Sequence, residues 1–421
     1  MRVSKTPVDP KRRAGDGPPP AYVNESSHWW DGSQLYGSSA ATHAAVRTGV
    51  DGKIKVGSDG RLSVDPVTGL EITGMTENGW VALSLLHGLF ALEHNAICDR
   101  LRPEHPAWDD QRMFQQARLV NAALMAKIHT AEWTPAILPH PITQLALRTN
   151  WSGVLPSLQR VFEGLDDKDL VSGIPGSPTE HHAAPYSLTE EFVAVYRMHS
   201  LLPDDFTFWS AKTGAPLGQF ELPALSGRKG RVLLERFDVA DLFYSFGVSH
   251  PGALRLHNFP RHLQNLVKDD GERLDLATLD ILRDRERGVP RYNQFRRLIH
   301  KESVKTFEEI SDNPTWAAEI KRVYNGDIEK VDLQVGLMCE PLPEGFGFSD
   351  TAFRVFVLMA SRRLKSDRFL SADYRPEVYT QAGIEWVEEN TMMDVLRRHV
   401  PGVAPALSGV SNAFHPWKKV G

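Results

Sequence analysis

The residues best suited to redox chemistry lie in the segment "VYRMHSLLPD" at 195–204, where a tyrosine precedes a histidine by three positions. On a helix, this spacing puts Tyr196 and His199 on the same face. Histidine is a common axial ligand of haem iron, and a tyrosine one turn earlier would lie beside the same cofactor and could be oxidised by it. Such pairs occur on any helix, so the spacing alone favours a core tyrosine and a hydrogen-bonded histidine.

Two other segments hold residues that could bind a carboxylate. The segment "KIHTAEWTP" places His129 and Thr134 at the end of a long apolar helical pattern. The segment "MASRRLKSDRF" runs from an apolar stretch into Arg363. The planar fork of an arginine can form two charge-assisted hydrogen bonds with one carboxylate. Taken singly, each segment is better explained by a capping histidine or by an arginine whose charged end reaches water.

A further segment, "SSHWWDGSQLYG" at 26–37, combines oxygen-bearing side chains with two adjacent tryptophans. Its alternate positions include Ser27, Asp31 and Ser33, whereas the indole rings are expected to be buried. The segment by itself fits either a well-packed turn without a metal or a loop whose oxygens face an ion.

The composition is that of a soluble globular protein and excludes several classes of function. Of the 421 residues, 41% are apolar and 24% are charged, which is ordinary. A net charge of −5 gives no sign of a nucleic-acid-binding surface. Two cysteines exclude a disulfide scaffold and indicate a reducing compartment; with no secretory signal, a cytoplasmic location is expected. The most apolar stretch, 79–99, is interrupted by polar residues and is a poor candidate for a membrane span.

Hydrophobic periodicity predicts a mainly α-helical chain. The Pro-, Lys- and Arg-rich stretch at 1–22 predicts an extended arm, and 23–421 contains no clean linker, which favours one large domain. Alternation around glycine-rich turns predicts a hairpin or two at 50–72. Pro135 is predicted to stop a long helix, and Ser187 to cap another. Apolar spacing predicts helices from residue 78 to 102 and at 110–133, 187–202, 238–246, 274–284, 291–300, 314–322, 351–366 and 392–399.

Together these segments resemble the haem peroxidase–cyclooxygenase superfamily, and within it the fatty acid α-dioxygenases. The resemblance extends over nearly the whole chain from about residue 17 and implies a mainly α, peroxidase-like helical domain with few short strands. The segments that carry it are "HWWDGSQLYGS" (28–38), "LLHGLFALEHNAICD" (85–99), "FQQARLVNAALMAKIHTAEWTPAIL" (114–138), "VYRMHSLLPD" (195–204), "RDRERGVPRYNQFRR" (283–297) and "VLMASRRLKSDRF" (357–369).

The resemblance implies a role for each matched residue. His199 matches the proximal haem ligand, and Tyr196 matches the tyrosine that forms the catalytic radical. His129, Thr134 and Arg363 match the residues that hold the substrate carboxylate in α-dioxygenases.

Two cofactors are implied in the same way. Asp280 matches the acceptor for the other ring N–H of the proximal histidine, an interaction that fixes the tautomer. The haem is expected to be non-covalent haem b, because 72–83 holds no counterpart of the acidic residue used for covalent attachment. The matching loop binds calcium in the family, and its ligands here would be Ser27, Trp29, Asp31 and Ser33.

The chemistry implied by the resemblance is radical oxygenation of a fatty acid. The Tyr196 radical takes a hydrogen from the carbon next to the carboxylate, and O₂ adds there. The peroxyl radical then recovers hydrogen from the tyrosine, which gives a 2-hydroperoxy fatty acid. The main requirement is positioning, since the α-carbon must face the tyrosine oxygen.

One part of the family's pattern has no match. The distal histidine, a general acid–base group for peroxide, precedes the "HWWDGS" segment in the family together with a calcium-binding aspartate. Only 27 residues precede His28, and none is a histidine. We therefore expect a truncated or impaired form, with a missing N-terminal segment or a separately encoded piece. Two alternatives are a haem peroxidase that acts on small reductants and a haem- or lipid-binding remnant without turnover.

Overall fold

Helices make up most of the regular structure, and the strands are few and short, as predicted. The computed structural model describes residues 3–13, 15, 17, 22–24, 26–76, 79–152, 173–180, 188–267 and 271–421. Its strands form two antiparallel pairs, β1 (Asp205–Trp209) with β2 (Pro216–Glu221) and β3 (Leu266–Val267) with β4 (Arg273–Leu274). Its α-helices are α1 (Ser33–Tyr36), α2 (Ala40–Val46), α3 (Val81–Leu101), α4 (Asp110–Ile128), α5 (Thr134–Ile137), α6 (Pro141–Ser152), α7 (Glu190–Val195), α8 (Gly227–Arg236), α9 (Val239–Val248), α10 (Arg261–Gln264), α11 (Leu276–Glu286), α12 (Tyr292–Leu298), α13 (Pro314–Val323), α14 (Leu333–Cys339), α15 (Asp350–Ser366), α16 (Pro376–Tyr379), α17 (Gln381–Glu389) and α18 (Met392–His399).

The chain divides into two compact units, each assembled from separated stretches of sequence. The first unit comprises Met1–Ser26, Pro185–Asp204 and Pro251–Arg363. The second comprises Ser27–Ala184, Asp205–His250 and Leu364–Gly421.

The stretch predicted to form an N-terminal arm is partly described and belongs to the first unit. Val8 pairs with Tyr22 in an isolated bridge, and both the N–H and the hydroxyl of Thr6 donate to the Glu286 carboxylate at 2.8 Å. The division into an arm at 1–22 and one domain beyond it stays a prediction.

The core of the second unit is organised by α3 and α4, which a buried hydrogen-bond network joins. Because the Gly52 carbonyl can only accept, His94 Nε2 donates to it at 2.9 Å. His94 Nδ1 therefore accepts from the Tyr36 hydroxyl at 2.9 Å, and Asn121 Nδ2 donates to the same oxygen at 2.8 Å. Burial lowers the pKa of His94 to about 4, which keeps the ring neutral. Both ring nitrogens of His94 are therefore paired, and a buried network of this kind fixes the helices that contribute to it.

Helix α3 has the length and hydropathy of a membrane span, and among the described residues it is the one helix that does. However, 67% of its most apolar window is buried inside the protein. This burial is what a core helix shows, as the interrupted apolar pattern predicted.

Helix α4 ends earlier than predicted, and a single π-helical turn follows it. The turn spans His129–Trp133, and the N–H of Thr134 donates to the carbonyl of His129, five residues back. The prediction that Pro135 stops α4 is therefore wrong. Pro135 lies in the first turn of α5, where its missing N–H is not needed. Single π-turns inside helices are frequent at functional sites. This one begins at His129 and ends next to Thr134, two of the predicted site residues.

The helix predicted at 187–202 is also shorter than expected. Helix α7 ends one residue before Tyr196, and His199 begins a separate 3₁₀ turn, so the prediction that both project from one helical face is wrong. At the break, the N–H of Met198 donates to the carbonyl of Tyr196, two residues back, at 2.7 Å, which is not a helical hydrogen bond. Beyond it, the carbonyl of Leu201 accepts from the N–H of Gly252 at 2.8 Å, so the backbone there bonds to a distant segment of the first unit.

The predicted N-cap of this helix, Ser187, lies outside the described residues. The cap observed is Thr189, whose hydroxyl oxygen accepts from the N–H of Phe192 at 3.4 Å.

Candidate active site

His199 and Asp280 meet in the first unit, in the arrangement that the sequence predicted. His199 Nδ1 lies 3.5 Å from Asp280 Oδ2, and the other carboxylate oxygen lies 3.2 Å from Arg197 Nε. Only 2% of the Asp280 side chain is exposed. The carboxylate is therefore held between a guanidinium and the imidazole ring, where it can orient the ring.

The surroundings of His199 fit an axial ligand of haem iron. His199 Nδ1 and Asp280 Oδ2 are both buried and have no hydrogen-bond partner among the described residues. Their separation of 3.5 Å is longer than an ordinary hydrogen bond, and leaving such groups unpaired is unfavourable. A metal-bound imidazole needs an acceptor for its second N–H. Asp280 Oδ2, at 3.5 Å from Nδ1, is placed to become that acceptor, which would leave Nε2 for iron.

Two neighbours of this pair were not singled out from the sequence. Arg197 is the cationic partner of Asp280, and Asp284 is buried one helical turn further along α11. Burial raises the pKa of Asp284 to about 7, an effect that Arg197 opposes and Asp280 reinforces. The signal for Arg197 was available, because it stands between Tyr196 and His199 in the motif.

The ring of Tyr196 is oriented by aromatic neighbours within the first unit. It stacks on Phe356 at 5.5 Å between ring centroids and 17° between planes, and Phe192 lies at 4.5 Å. Burial raises the pKa of the phenol, so Tyr196 keeps its O–H near neutral pH. A phenol that keeps its proton can act as a hydrogen-atom donor, which is the property that the predicted role requires.

In the second unit, His129 begins the π-turn and Thr134 follows it as the first residue of α5. The His129 ring packs against Trp133 at 4.9 Å and against Trp30 at 5.3 Å between centroids. Burial lowers the pKa of His129 to about 4, so the ring is neutral and can offer a carboxylate one N–H but no charge. Thr134 Oγ1 donates to the His129 carbonyl at 2.8 Å, so in this structure its hydroxyl closes the turn.

Arg363 belongs to α15 and is the last residue of the first unit. Its exposure is 3%, which contradicts the alternative that its charged end reaches solvent. A guanidinium buried to this degree needs polar partners. In the predicted role, the substrate carboxylate is one of them.

The loop assigned to calcium by resemblance uses its oxygens mainly within itself. Ser27 Oγ accepts from the N–H of Trp29 at 3.1 Å, and Asp31 Oδ1 accepts from the N–H of Ser33 at 3.0 Å. The Arg118 guanidinium donates to the Asp31 carbonyl at 3.0 Å and lies 3.3 Å from its Oδ2. Ca²⁺ takes six to eight oxygens, and no group of three or more His, Cys, Asp or Glu side chains gathers in the described part of the chain. The named oxygens of the loop are therefore engaged by protein groups, and calcium binding at this loop stays a prediction.

The two tryptophans of this loop differ in their surroundings. Trp29 is 40% exposed and meets Phe369 edge-on at 5.7 Å. The N–H of Trp30 donates to Asp367 Oδ2 at 3.1 Å, and its ring packs on His129. Trp30 therefore ties the loop to the π-turn.

Comparisons with a protein-family model and with individual proteins agree with each other. The family model described as animal haem peroxidase matches residues 1–409. Alpha-dioxygenase 2 of Arabidopsis thaliana is 39% identical, covering 99% of this chain and 67% of its own length. Alpha-dioxygenase PIOX of Oryza sativa subsp. japonica is 38% identical, covering 96% and 67%. The chain therefore spans about two thirds of the length of these relatives.

Solved structures agree with the sequence relatives. The crystal structure of Oryza sativa fatty acid alpha-dioxygenase has a TM-score of 0.90 at 36% identity, covering 98% of this chain and 70% of that one. A variant of the same Oryza sativa protein, crystallised with palmitic acid, has a TM-score of 0.86 at 37% identity, covering 93% and 66%.

Proposed function

The protein belongs to the animal haem peroxidase family, and from that premise we propose that it is a haem-dependent fatty acid α-dioxygenase. The single observation that carries the proposal is the Tyr196–His199–Asp280 arrangement, found in a chain that is 38–39% identical to α-dioxygenases over 96–99% of its length. Its substrates are a long-chain fatty acid and O₂, and its product is a 2-hydroperoxy fatty acid.

The chain's own residues divide this work between binding and hydrogen transfer. His129, Thr134 and Arg363 bind the substrate carboxylate, with Arg363 supplying the positive charge and neutral His129 one N–H. The Thr134 hydroxyl becomes a further donor once it turns away from the His129 carbonyl. This binding directs the carbon next to the carboxylate at the Tyr196 oxygen, and such positioning accounts for much of the barrier reduction in radical transfer between held partners.

His199 would hold haem b, and Asp280 would accept from the second ring N–H of His199. When bound and oxidised by a peroxide, the haem would supply the oxidation that removes one electron and one proton from the Tyr196 phenol and leaves a phenoxyl radical. Tyr196 takes a hydrogen atom from the substrate, and after O₂ has added to the carbon radical it returns that hydrogen to the peroxyl oxygen. Tyr196 therefore ends the cycle as it began it, as a radical. Calcium at the loop that contains Asp31 is a second, separate part of the proposal and enters no chemical step.

Oxygen consumption tests the proposal and separates its alternatives. The haem-reconstituted protein, started with a peroxyacid, is expected to consume O₂ only when palmitate is added, and Tyr196→Phe is expected to abolish this uptake. Oxidation of a simple phenol without palmitate-dependent uptake would favour a peroxidase that acts on small reductants. Palmitate binding without either activity would favour a non-catalytic binding protein.

A further inference from the structure

Two charged residues that the proposed reaction does not use attach the π-turn, which begins at His129 and ends next to Thr134, to neighbouring helices. One of them, Lys127, occupies the last turn of α4. Its Nζ donates to three carbonyls at the end of α17, those of Val387 at 2.7 Å, Glu388 at 2.6 Å and Asn390 at 3.0 Å. An ammonium at a helix C-terminus satisfies carbonyls that have no helical partner and complements the helix dipole.

The second residue, Glu132, lies within the π-turn and caps the next helix. Its two carboxylate oxygens accept from the N–H of Met392, the first residue of α18, at 3.0 and 3.3 Å. Its backbone carbonyl accepts from Asn412 Nδ2 at 2.9 Å. A carboxylate at a helix N-terminus satisfies N–H groups that the helix cannot. The π-turn is therefore attached to the α17–α18 junction through a cation on one side and a carboxylate on the other.

The side chains of Lys127 and Glu132 carry opposite charges, and burial limits the contact of both with water. Burial raises the pKa of Glu132 to about 7; Asp394 reinforces the effect, whereas the Met392 N–H and Lys127 oppose it. Burial also lowers the pKa of Lys127, against the attraction of Glu132 and the other acidic groups nearby. Removing either side chain leaves partly buried backbone groups without their partner, which is unfavourable, so both contacts stabilise the conformation of the turn.

The geometry points to Glu132 and Lys127 as positioning residues for the substrate carboxylate. By fixing both sides of the π-turn against α17 and α18, they set the directions in which His129 and Thr134 present their polar atoms. The inference rests on the proposed function, because it presupposes that these two residues bind the carboxylate. A π-turn has one residue more than the α-helical turn it replaces and is a rare conformation. Displacement of a binding group by about 1 Å can cost a hundredfold in rate.

Fatty acid binding by the full chain tests this role without relying on turnover. Palmitate is titrated into the protein, and quenching of the tryptophans packed on His129 reports binding. Glu132→Ala is expected to weaken binding roughly 10- to 100-fold, and Lys127→Met by a similar factor. Glu132→Gln keeps an acceptor oxygen for the Met392 N–H and is expected to retain most of the affinity.

A matched control separates positioning from general stability. Asp109 caps the opposite end of α4 by accepting from the N–H of Arg112 at 2.7 Å. Asp109→Ala is expected to lower the urea midpoint of unfolding while leaving palmitate affinity unchanged. Unchanged affinity in Lys127→Met and Glu132→Ala, or an equal loss in Asp109→Ala, would overturn the inference; should Glu132→Ala not fold, Lys127→Met decides.

The same titration distinguishes failure of the inference from failure of the proposed function. His129→Phe and Thr134→Val remove the proposed carboxylate contacts directly. If neither weakens palmitate binding, or if the unsubstituted protein does not bind palmitate, the proposed carboxylate site is wrong and the inference falls with it. If both weaken binding and the Lys127 and Glu132 variants do not, only the inference is wrong.

Discussion

Replacing Asp280 with asparagine tests whether its carboxylate orients His199 as an iron ligand. Breaking a fully buried ion pair by removing one partner costs about 3–5 kcal/mol. Asp280 is 2% exposed, but its partner Arg197 keeps 27% exposure, so we expect the free energy of unfolding to fall by roughly 2 kcal/mol. Asparagine keeps an acceptor oxygen for His199 but loses the charge, and we expect haem affinity to fall about 10- to 100-fold.

Two measurements and one control decide this prediction. Urea unfolding at pH 7 gives the change in stability, and titration with hemin, followed by the haem absorbance, gives the change in affinity. Asp284→Asn is the matched control, because Asp284 is buried one turn further along α11 and has no ion-pair contact with His199 within the described residues. Haem affinity that is unchanged in Asp280→Asn, or equally reduced in Asp284→Asn, would refute the orienting role of Asp280.

Three further predictions follow from individual side chains. Burial raises the pKa of Asp284 to about 7 in the folded protein, so the folded state holds an extra proton from about pH 4 to 7. The free energy of unfolding therefore falls as the pH rises through this window. In urea unfolding, Asp284→Asn should reduce this pH dependence and should stabilise the protein most at pH 8. Tyr196→Phe keeps the stacking on Phe356 and should change the free energy of unfolding by less than about 1 kcal/mol, while palmitate-dependent O₂ uptake disappears. Ca²⁺ should raise the thermal midpoint of unfolding, a chelator should reverse the effect, and Asp31→Asn should remove it; a protein indifferent to Ca²⁺ contradicts the calcium prediction.

Sequence patterns predicted the elements whose signal is local. The three- and four-residue apolar spacing gave α3, α4, α9, α11, α13, α15 and α18 to within a few residues, apart from the end of α4, because each buries one face against its neighbours. The π-turn at His129–Trp133 was missed, since its extra residue shifts the side-chain periodicity only for the four residues of α5 that follow, Thr134–Ile137. The pair β1–β2 was missed as well, because strands of five and six residues with a bulge carry a weak alternation.

Only part of the candidate site was predicted, because only part of its signal is local in the sequence. Tyr196 and His199 were singled out by their spacing, but their roles came from family resemblance. No local pattern reveals their placement after α7. The pairing of Asp280 with His199 came from family resemblance alone. The role of Glu132 could not be predicted from the sequence, because it depends on a contact with Met392, which is 260 positions away.

The most direct test of the central claim is the position of oxygen in the product. The haem-reconstituted protein is incubated with palmitate and ¹⁸O₂, with a peroxyacid as the starting oxidant because its O–O bond is cleaved without help from a general acid. The account predicts ¹⁸O at C2, as the 2-hydroperoxide and in the aldehyde one carbon shorter, and no labelled product from Tyr196→Phe. Label at any other carbon, or label at C2 that persists in Tyr196→Phe, would contradict it.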